Sequence, residues 1–233
     1  MTNILVITGG SRGIGAATIH RFMREGWQVI NISRTSSEIA NVTDINMDLL
    51  SANDIIQHAA KLQVALEHAS QVALVHNAAF YERDCLDTLK ITDLQKTLTV
   101  NVIAPVILNQ LMIPFMPKGS SIVYLGSTLA KKAVPGNASY IISKHALIGL
   151  MRATCQDLSD MQIRSCCICP GLVDTKLLKD TMDNETLNFL LESKVIGKRL
   201  IEPEEIADVI YFCAITPCIN GTTIDANLGQ MAD

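Results

Sequence analysis

Tyr140 and Lys144 stand four residues apart in SYIISKHALIGLMRATCQDL. Apolar residues recur through this segment at helical spacing, so both side chains project from one helix face. A phenol with an ordinary pKa near ~10 exchanges protons poorly at neutral pH, and an ammonium within about 4–6 Å lowers that value by roughly 1–3 units. The pair therefore predicts a tyrosine tuned by its lysine for general acid/base catalysis. Ser127 follows SIVYLG, a short apolar run that reads as a buried strand, so its hydroxyl falls at a strand end where it could hold a substrate oxygen. A Tyr and a Lys at this spacing are by themselves an ordinary solvated helix face. The elements around them give the pair its meaning.

ILVITGG reads as a strand and GIGAATIHRFMREG as a helix ending at Gly26. The junction, TGGSRGIG, places Gly9, Gly13 and Gly15 where a tight turn lets backbone amides and a helix N-terminus meet a pyrophosphate. The next strand, WQVINIS, ends at Ser33-Arg34, about 20 residues beyond the turn, where an acidic residue would accept from the NAD ribose. Arg34 stands there instead, with Arg12 in the glycine turn. Two guanidiniums suit a 2′-phosphate, so NADP(H) is expected over NAD(H).

The segment from Thr35 to Val42 is too short for the usual helical crossover and predicts a turn or loop before a third strand, TDINMDL, with Asp48 at its end. SANDIIQHAAKLQVALEHA predicts one helix, and QVALVHNAAF a strand ending at Asn77-Ala78-Ala79. TDLQKTLTVNVIAPVILNQLM predicts an apolar helix with Asn101 near its middle, where a buried amide is costly unless satisfied. IRSCCICPG is a thiol-rich strand before the Pro170-Gly171 turn. EPEEIADVIYFCA then predicts a helix, and GTTIDANLGQ the last strand.

Ser127, the YxxxK of Tyr140 and Lys144, the TGxxxGxG turn, Asn77-Ala78, Asn101 and Pro170-Gly171 occur together in an order and spacing that resembles the short-chain dehydrogenase/reductase family, over nearly the whole chain. Within it, the region after Pro170 and GKRLIEPEEIA look most like β-ketoacyl-acyl carrier protein reductases. His76 and Ala79 depart from the family's NNAG turn, and Leu228-Gly229 from its terminal GG.

The resemblance implies a single α/β domain over residues 1–233, a Rossmann-like doubly wound parallel sheet, with a substrate lid at 174–200. It implies a catalytic set of Asn101, Ser127, Tyr140 and Lys144, with Asn101 distorting its helix and holding a water that links the lysine to solvent. Cofactor contacts are implied for Gly9, Ser11, Arg12, Gly13, Ile14, Gly15, Arg34, Asp48, Asn77, Ala78, Tyr140, Lys144, Pro170, Gly171, Val173 and Thr175. Asp48 would meet the adenine, and Val173 and Thr175 the nicotinamide. The activity implied is NADP(H)-dependent hydride transfer to a carbonyl, of a 3-oxoacyl thioester or of a small ketone, dicarbonyl or pterin-like compound. Lys131, Lys132 and Arg199 could meet an acidic carrier, and a homotetramer or dimer would form through the helices of Asn101 and Tyr140. An NADP(H)-binding regulatory protein is the non-enzyme alternative.

Composition bounds these readings. A net charge of −4 gives no reason to expect nucleic acid, and 48% hydrophobic with only 4% aromatic residues suits an aliphatic core under helices. No apolar run reaches the ~18 residues of a membrane helix, and MTNILVITGG lacks a basic leader, so a cytoplasmic protein is expected. The seven cysteines show no zinc spacing, so no metal is expected, and Cys166, Cys167 and Cys169 read as buried reduced thiols on a strand.

Overall fold

The computed structural model describes residues 2–230. Seven strands form one parallel sheet in the order β3-β2-β1-β4-β5-β6-β7: β1 Thr2–Thr8, β2 Gln28–Ser33, β3 Val42–Asn46, β4 Ala69–His76, β5 Ser121–Leu125, β6 Arg164–Pro170 and β7 Thr222–Ala226. Chain order reverses direction between β1 and β4, which creates the crevice at the strand C-termini where such sheets bind ligands. The central strands are apolar almost end to end because helices cover both faces; every residue of β5 and β6 is buried.

One face carries α1 (Gly13–Arg24) and α9 (Pro203–Ile215), packed on each other, with Ile19, Phe22, Ile206 and Ile210 in the core between them and the sheet. Gly26, at φ 77°, closes α1 in the left-handed conformation expected of a C-terminal glycine. The opposite face carries α2 (Ala52–Gln57), α3 (Ala59–Leu66), α5 (Ala104–Met112) and α6 (Ala138–Asp157) over Leu62, Leu74, Leu108, Ile122 and Met151. The short α7 (Lys176–Thr181) and α8 (Asn184–Lys194) follow β6.

Residues 34–41 carry no helix, as their length predicted. The single helix expected over SANDIIQHAAKLQVALEHA is instead α2 and α3, broken at His58. Its ring Nδ1 lies 2.9 Å from the Asp54 carbonyl, and this side-chain bond competes with the backbone ladder. The long apolar helix around Asn101 is also interrupted. α4 (Ile91–Leu98) passes into a five-residue π-helical segment, Thr99–Ile103, before α5. The helical stretch Ile91–Phe115 is long and apolar enough by composition to cross a membrane, although polar residues interrupt its apolar run. In the fold its Asn101, Leu108, Asn109 and Met112 are buried against the sheet layer.

Candidate functional site

The glycine turn is built by sterics. Gly9 and Gly13 have φ of 70° and 54°. A Cβ on Gly15 would lie 2.1 Å from the Gly9 carbonyl, so only glycine lets α1 approach β1 this closely. The turn is clamped from β4. Asn77 Nδ2 donates to the Thr8 and Gly9 carbonyls at 3.0 and 2.9 Å, while the backbone N–H groups of Asn77 and Ala78 donate to Thr8 Oγ1. His76 and Ala79, the departures from the family turn, leave this clamp intact, because it uses one side-chain amide and two backbone groups. Beyond β6, Gly171 N–H bonds Ala226, and Thr175 caps α7 with its methyl close enough that a Cβ on Gly13 would sit 3.2 Å away. Thus Gly13, Asn77, Ala78, Gly171 and Thr175 converge on one crevice.

Arg12 precedes α1 as its N-cap without a side-chain cap bond, and no acidic residue occupies the first turn. The donors of that helix end and the glycine cradle fit a bound pyrophosphate. Ser11 and Ile14 lie on the same turn, and Arg12 and Arg34 are exposed. Asp48 follows β3, where its carboxylate accepts from Leu50 N–H and its own N–H donates to Asp54.

Ser127 lies two residues past β5 and caps a short 3₁₀ turn, accepting from Leu129 N–H at 3.1 Å. Tyr140 and Lys144 come from α6. Lys144 is 3% exposed; its ammonium donates to the Leu125 carbonyl at 2.6 Å and lies 5.3 Å from the Tyr140 ring centroid. The Tyr81 ring meets Tyr140 edge-on at 5.1 Å.

Lys144 does not acidify Tyr140 as its spacing predicts. Desolvation, joined by Tyr81, holds the phenol above its ordinary value, and the Ser127 hydroxyl beside it only partly opposes this. Burial also pushes Lys144 down, to about 8, against the opposing pull of Cys167 and Cys169. Four-residue spacing brings the attraction between the two charged forms, but the cost of burying both groups outweighs it.

Asn101 sits in the π-helical segment at 2% exposure with its amide satisfied. Oδ1 accepts from Phe80 N–H at 2.7 Å, and Nδ2 donates to the Phe80 carbonyl and to Ser143 Oγ, each at 2.9 Å. Ser143 in turn donates to the Tyr140 carbonyl. The bulge re-aims Asn101 toward α6 and the Phe80 backbone, so it ties the helix layer to the tyrosine's own turn.

Cys167 and Cys169 lie behind this group. A Cβ on Gly126 would sit 2.8 and 3.1 Å from their sulfurs, so Gly126 is required for the strand to reach Ser127. All seven cysteines are free; Cys166, Cys167 and Cys169 are buried on β6, as expected, whereas Cys85 and Cys218 are exposed. Among the described residues no group of three or more metal-ligating side chains comes together.

Lys131 and Arg199, expected to face an acidic carrier, are ion-paired within the chain, with Asp225 at 2.7 Å and with Glu205 at 2.6 Å, and Lys132 is engaged too. Neither Asn31 nor Asp44 was among the sequence candidates, yet both are tied to the glycine turn: Asn31 Oδ1 accepts from Gly10 N–H at 2.8 Å and its Nδ2 donates to Asp44. Only a polar residue inside an apolar strand run signalled them.

The family model described as enoyl-(acyl carrier protein) reductase matches residues 9–230. Human dehydrogenase/reductase SDR family member 4 is 31% identical over 224 residues, covering 90% of this chain and 80% of that protein. Among solved structures, a blue fluorescent protein from a metagenomic library, in complex with NADPH, superposes with a TM-score of 0.89 at 25% identity, covering 99% of this chain and 98% of the other. A 4-hydroxyisoleucine dehydrogenase complexed with NADH superposes over the whole of both chains with a TM-score of 0.87 at 23% identity, a likeness of fold alone.

Proposed function

Because this chain belongs to the short-chain dehydrogenase/reductase family, we propose that it transfers hydride between NADP(H) and the carbonyl or secondary alcohol of a small molecule, with Asn101, Ser127, Tyr140 and Lys144 as its catalytic set. The observation that carries the reading is the meeting of half-buried Tyr140, buried Lys144 and Ser127 with a glycine-lined crevice at the strand C-termini. The nicotinamide group, when bound, supplies the hydride.

The chain's own residues do the rest. Ser127 holds the substrate oxygen. Tyr140, kept neutral by its surroundings, is already in the protonated form that a donor to a carbonyl oxygen needs. Lys144, fixed by the Leu125 carbonyl, provides the positive charge that favours the phenolate left behind. Asn101 holds the Tyr140 turn through Ser143. In the oxidative direction Tyr140 must first lose its proton, so alcohol oxidation belongs to alkaline pH.

Arg34 and Arg12 support NADP(H) as the cofactor, since neither has a carboxylate partner among the described residues and no acid stands at the end of β2. The internal ion pairs of Lys131 and Arg199 favour a free carbonyl compound over a carrier-bound one. The substrate lid is α7 and α8 within residues 174–200, where Leu177 and Phe189 are exposed apolar side chains available to a ligand.

Turnover of a panel of ketones, dicarbonyls and an acetoacetyl thioester, each with NADPH and with NADH, tests the proposal. Reduction of at least one panel member with NADPH is expected, and its loss in Tyr140→Phe. A Tyr140→Phe protein as active as wild type sinks the mechanism.

A further inference from the structure

Asn31 is fully buried in the middle of β2, and its amide uses every polar atom. Oδ1 accepts from Gly10 N–H at 2.8 Å; a Cβ on Gly10 would fall 2.5 Å from that oxygen, so the contact needs glycine there. Nδ2 donates to Ser33 Oγ at 3.0 Å and to Asp44 Oδ1 at 2.7 Å, on the neighbouring strand β3, where the two residues are in register. One buried side chain thus joins the glycine turn, the end of β2 and β3.

Asp44 extends the connection. Its Oδ1 also accepts from Ser37 N–H at 3.0 Å, and its Oδ2 accepts from Ser36 Oγ at 2.6 Å and Ser37 Oγ at 3.2 Å. These bonds draw residues 36–37 down onto β3 and leave Ser37 buried. In this family of sheets a helix normally follows β2 and would fix the chain there; here the segment 34–41 has none, and Asp44 does the anchoring instead. Glu38 and Asn41, at φ 57° and 65°, complete a tightly folded loop. Partial burial pushes the Asp44 carboxyl up, but the bonds from Ser36, Asn31 and Ser37 hold it below its usual range, so the anchor is ionised throughout the physiological range.

Arg34 lies between Ser33, bonded to Asn31, and Ser36, bonded to Asp44. We propose that Asn31 and Asp44 are positioning residues for dinucleotide selectivity: together they fix the Arg34 segment against the glycine turn that carries Arg12, so that both guanidiniums face one 2′-phosphate. Neither residue touches the phosphate. This rests on the NADP(H) reading above.

Calorimetric titration of the full chain with NADPH and with NADH tests it, for wild type, for Asp44→Asn, and for the double variant Ser36→Ala/Ser37→Ala, which removes both hydroxyl donors to Asp44 without touching the strand. Wild type is expected to bind NADPH more tightly. Both variants are expected to lose about ten-fold or more in NADPH affinity, as for the loss of charge-assisted bonds, while NADH affinity changes less than about two-fold. Equal weakening toward both dinucleotides in a variant that still melts cooperatively shows a merely structural anchor and overturns the proposal, as does unchanged NADPH preference. A wild type without NADPH preference overturns the cofactor reading itself and the proposal with it; a preference that persists in both variants overturns the positioning role alone. Should Asp44→Asn fail to fold, the serine variant decides.

Discussion

Tyr140 and Lys144 show how burial reverses a sequence argument while preserving the chemistry. The phenol is held above its ordinary value and the ammonium drawn down to about 8, both chiefly by desolvation. For carbonyl reduction this leaves a protonated donor and, below pH about 8, a charged lysine. Reductive kcat/KM should therefore fall as pH rises through about 8, and a flat profile from pH 6 to 10 would contradict that assignment. Tyr140→Phe should remove turnover while NADPH still binds by calorimetry, because the ring remains and only the proton donor is lost.

His76, near the same crevice, makes an independent prediction. It is 3% exposed and stacked on Tyr124, with Nε2–H donating to Asn109 Oδ1 and Nδ1 without a partner. Burial, only partly opposed by Asn109, lowers its pKa to about 4 from 6.5. Between those values the unfolded chain binds a proton that the native one does not, so stability falls as pH drops from 6.5 toward 4, by about 3 kcal/mol in all. Urea unfolding at pH 7 and pH 4.5 measures this, and His76→Asn should flatten the slope.

At the scale of elements, two ends of helices carry unusual loads. The C-terminus of α9 points its last carbonyls at Arg164, 8% exposed at the start of β6. The guanidinium donates to the carbonyls of Cys213, Ala214, Thr216 and Gly119. A cation there satisfies orphan helix carbonyls and suits the helix dipole, which is why the buried arginine needs no carboxylate. Arg164→Met should cost at least about 2 kcal/mol in urea unfolding, because several buried acceptors lose their donor together. At the other end of the sheet, the N-terminus of α1 depends on Gly15. Gly15→Ala places a methyl against the Gly9 carbonyl, so it should cost about 2–3 kcal/mol and abolish the thermal stabilisation that NADPH gives wild type.

For the whole molecule, the helices bearing Asn101 and Tyr140 raise the question of assembly. Ile91, Ile103 and Phe115 are exposed along the α4–α5 stretch and Ile142 on α6, while the opposite sides of the same helices are in the core. Such apolar surface on a helix layer is what a subunit interface would cover, in line with the homotetramer or dimer implied by the family resemblance. Sedimentation at micromolar concentration should give a dimer or tetramer, and Ile103→Glu should shift it toward monomer. A wild-type monomer would remove this reading.

Much of this architecture was legible in the linear chain because its signals are local. Alternating apolar runs and helical periods predicted the strands and helices. A glycine turn must be glycine whatever surrounds it, and a crossover of eight residues leaves no room for a helix. The order of Ser127, Tyr140 and Lys144 likewise fixes their approach, since one strand end and one helix face suffice. What pairing across distance decides was not legible. The protonation of Tyr140 depends on how much water the fold removes, the availability of Lys131 and Arg199 on carboxylates 94 and 6 residues away, and the π-helical turn on what Asn101 meets at Phe80 and Ser143. Asn31 and Asp44 stand 13 residues apart and became partners only when β2 and β3 came into register. Solvent exclusion and long-range hydrogen bonds are properties of the assembled tertiary structure, and no short window of sequence contains them.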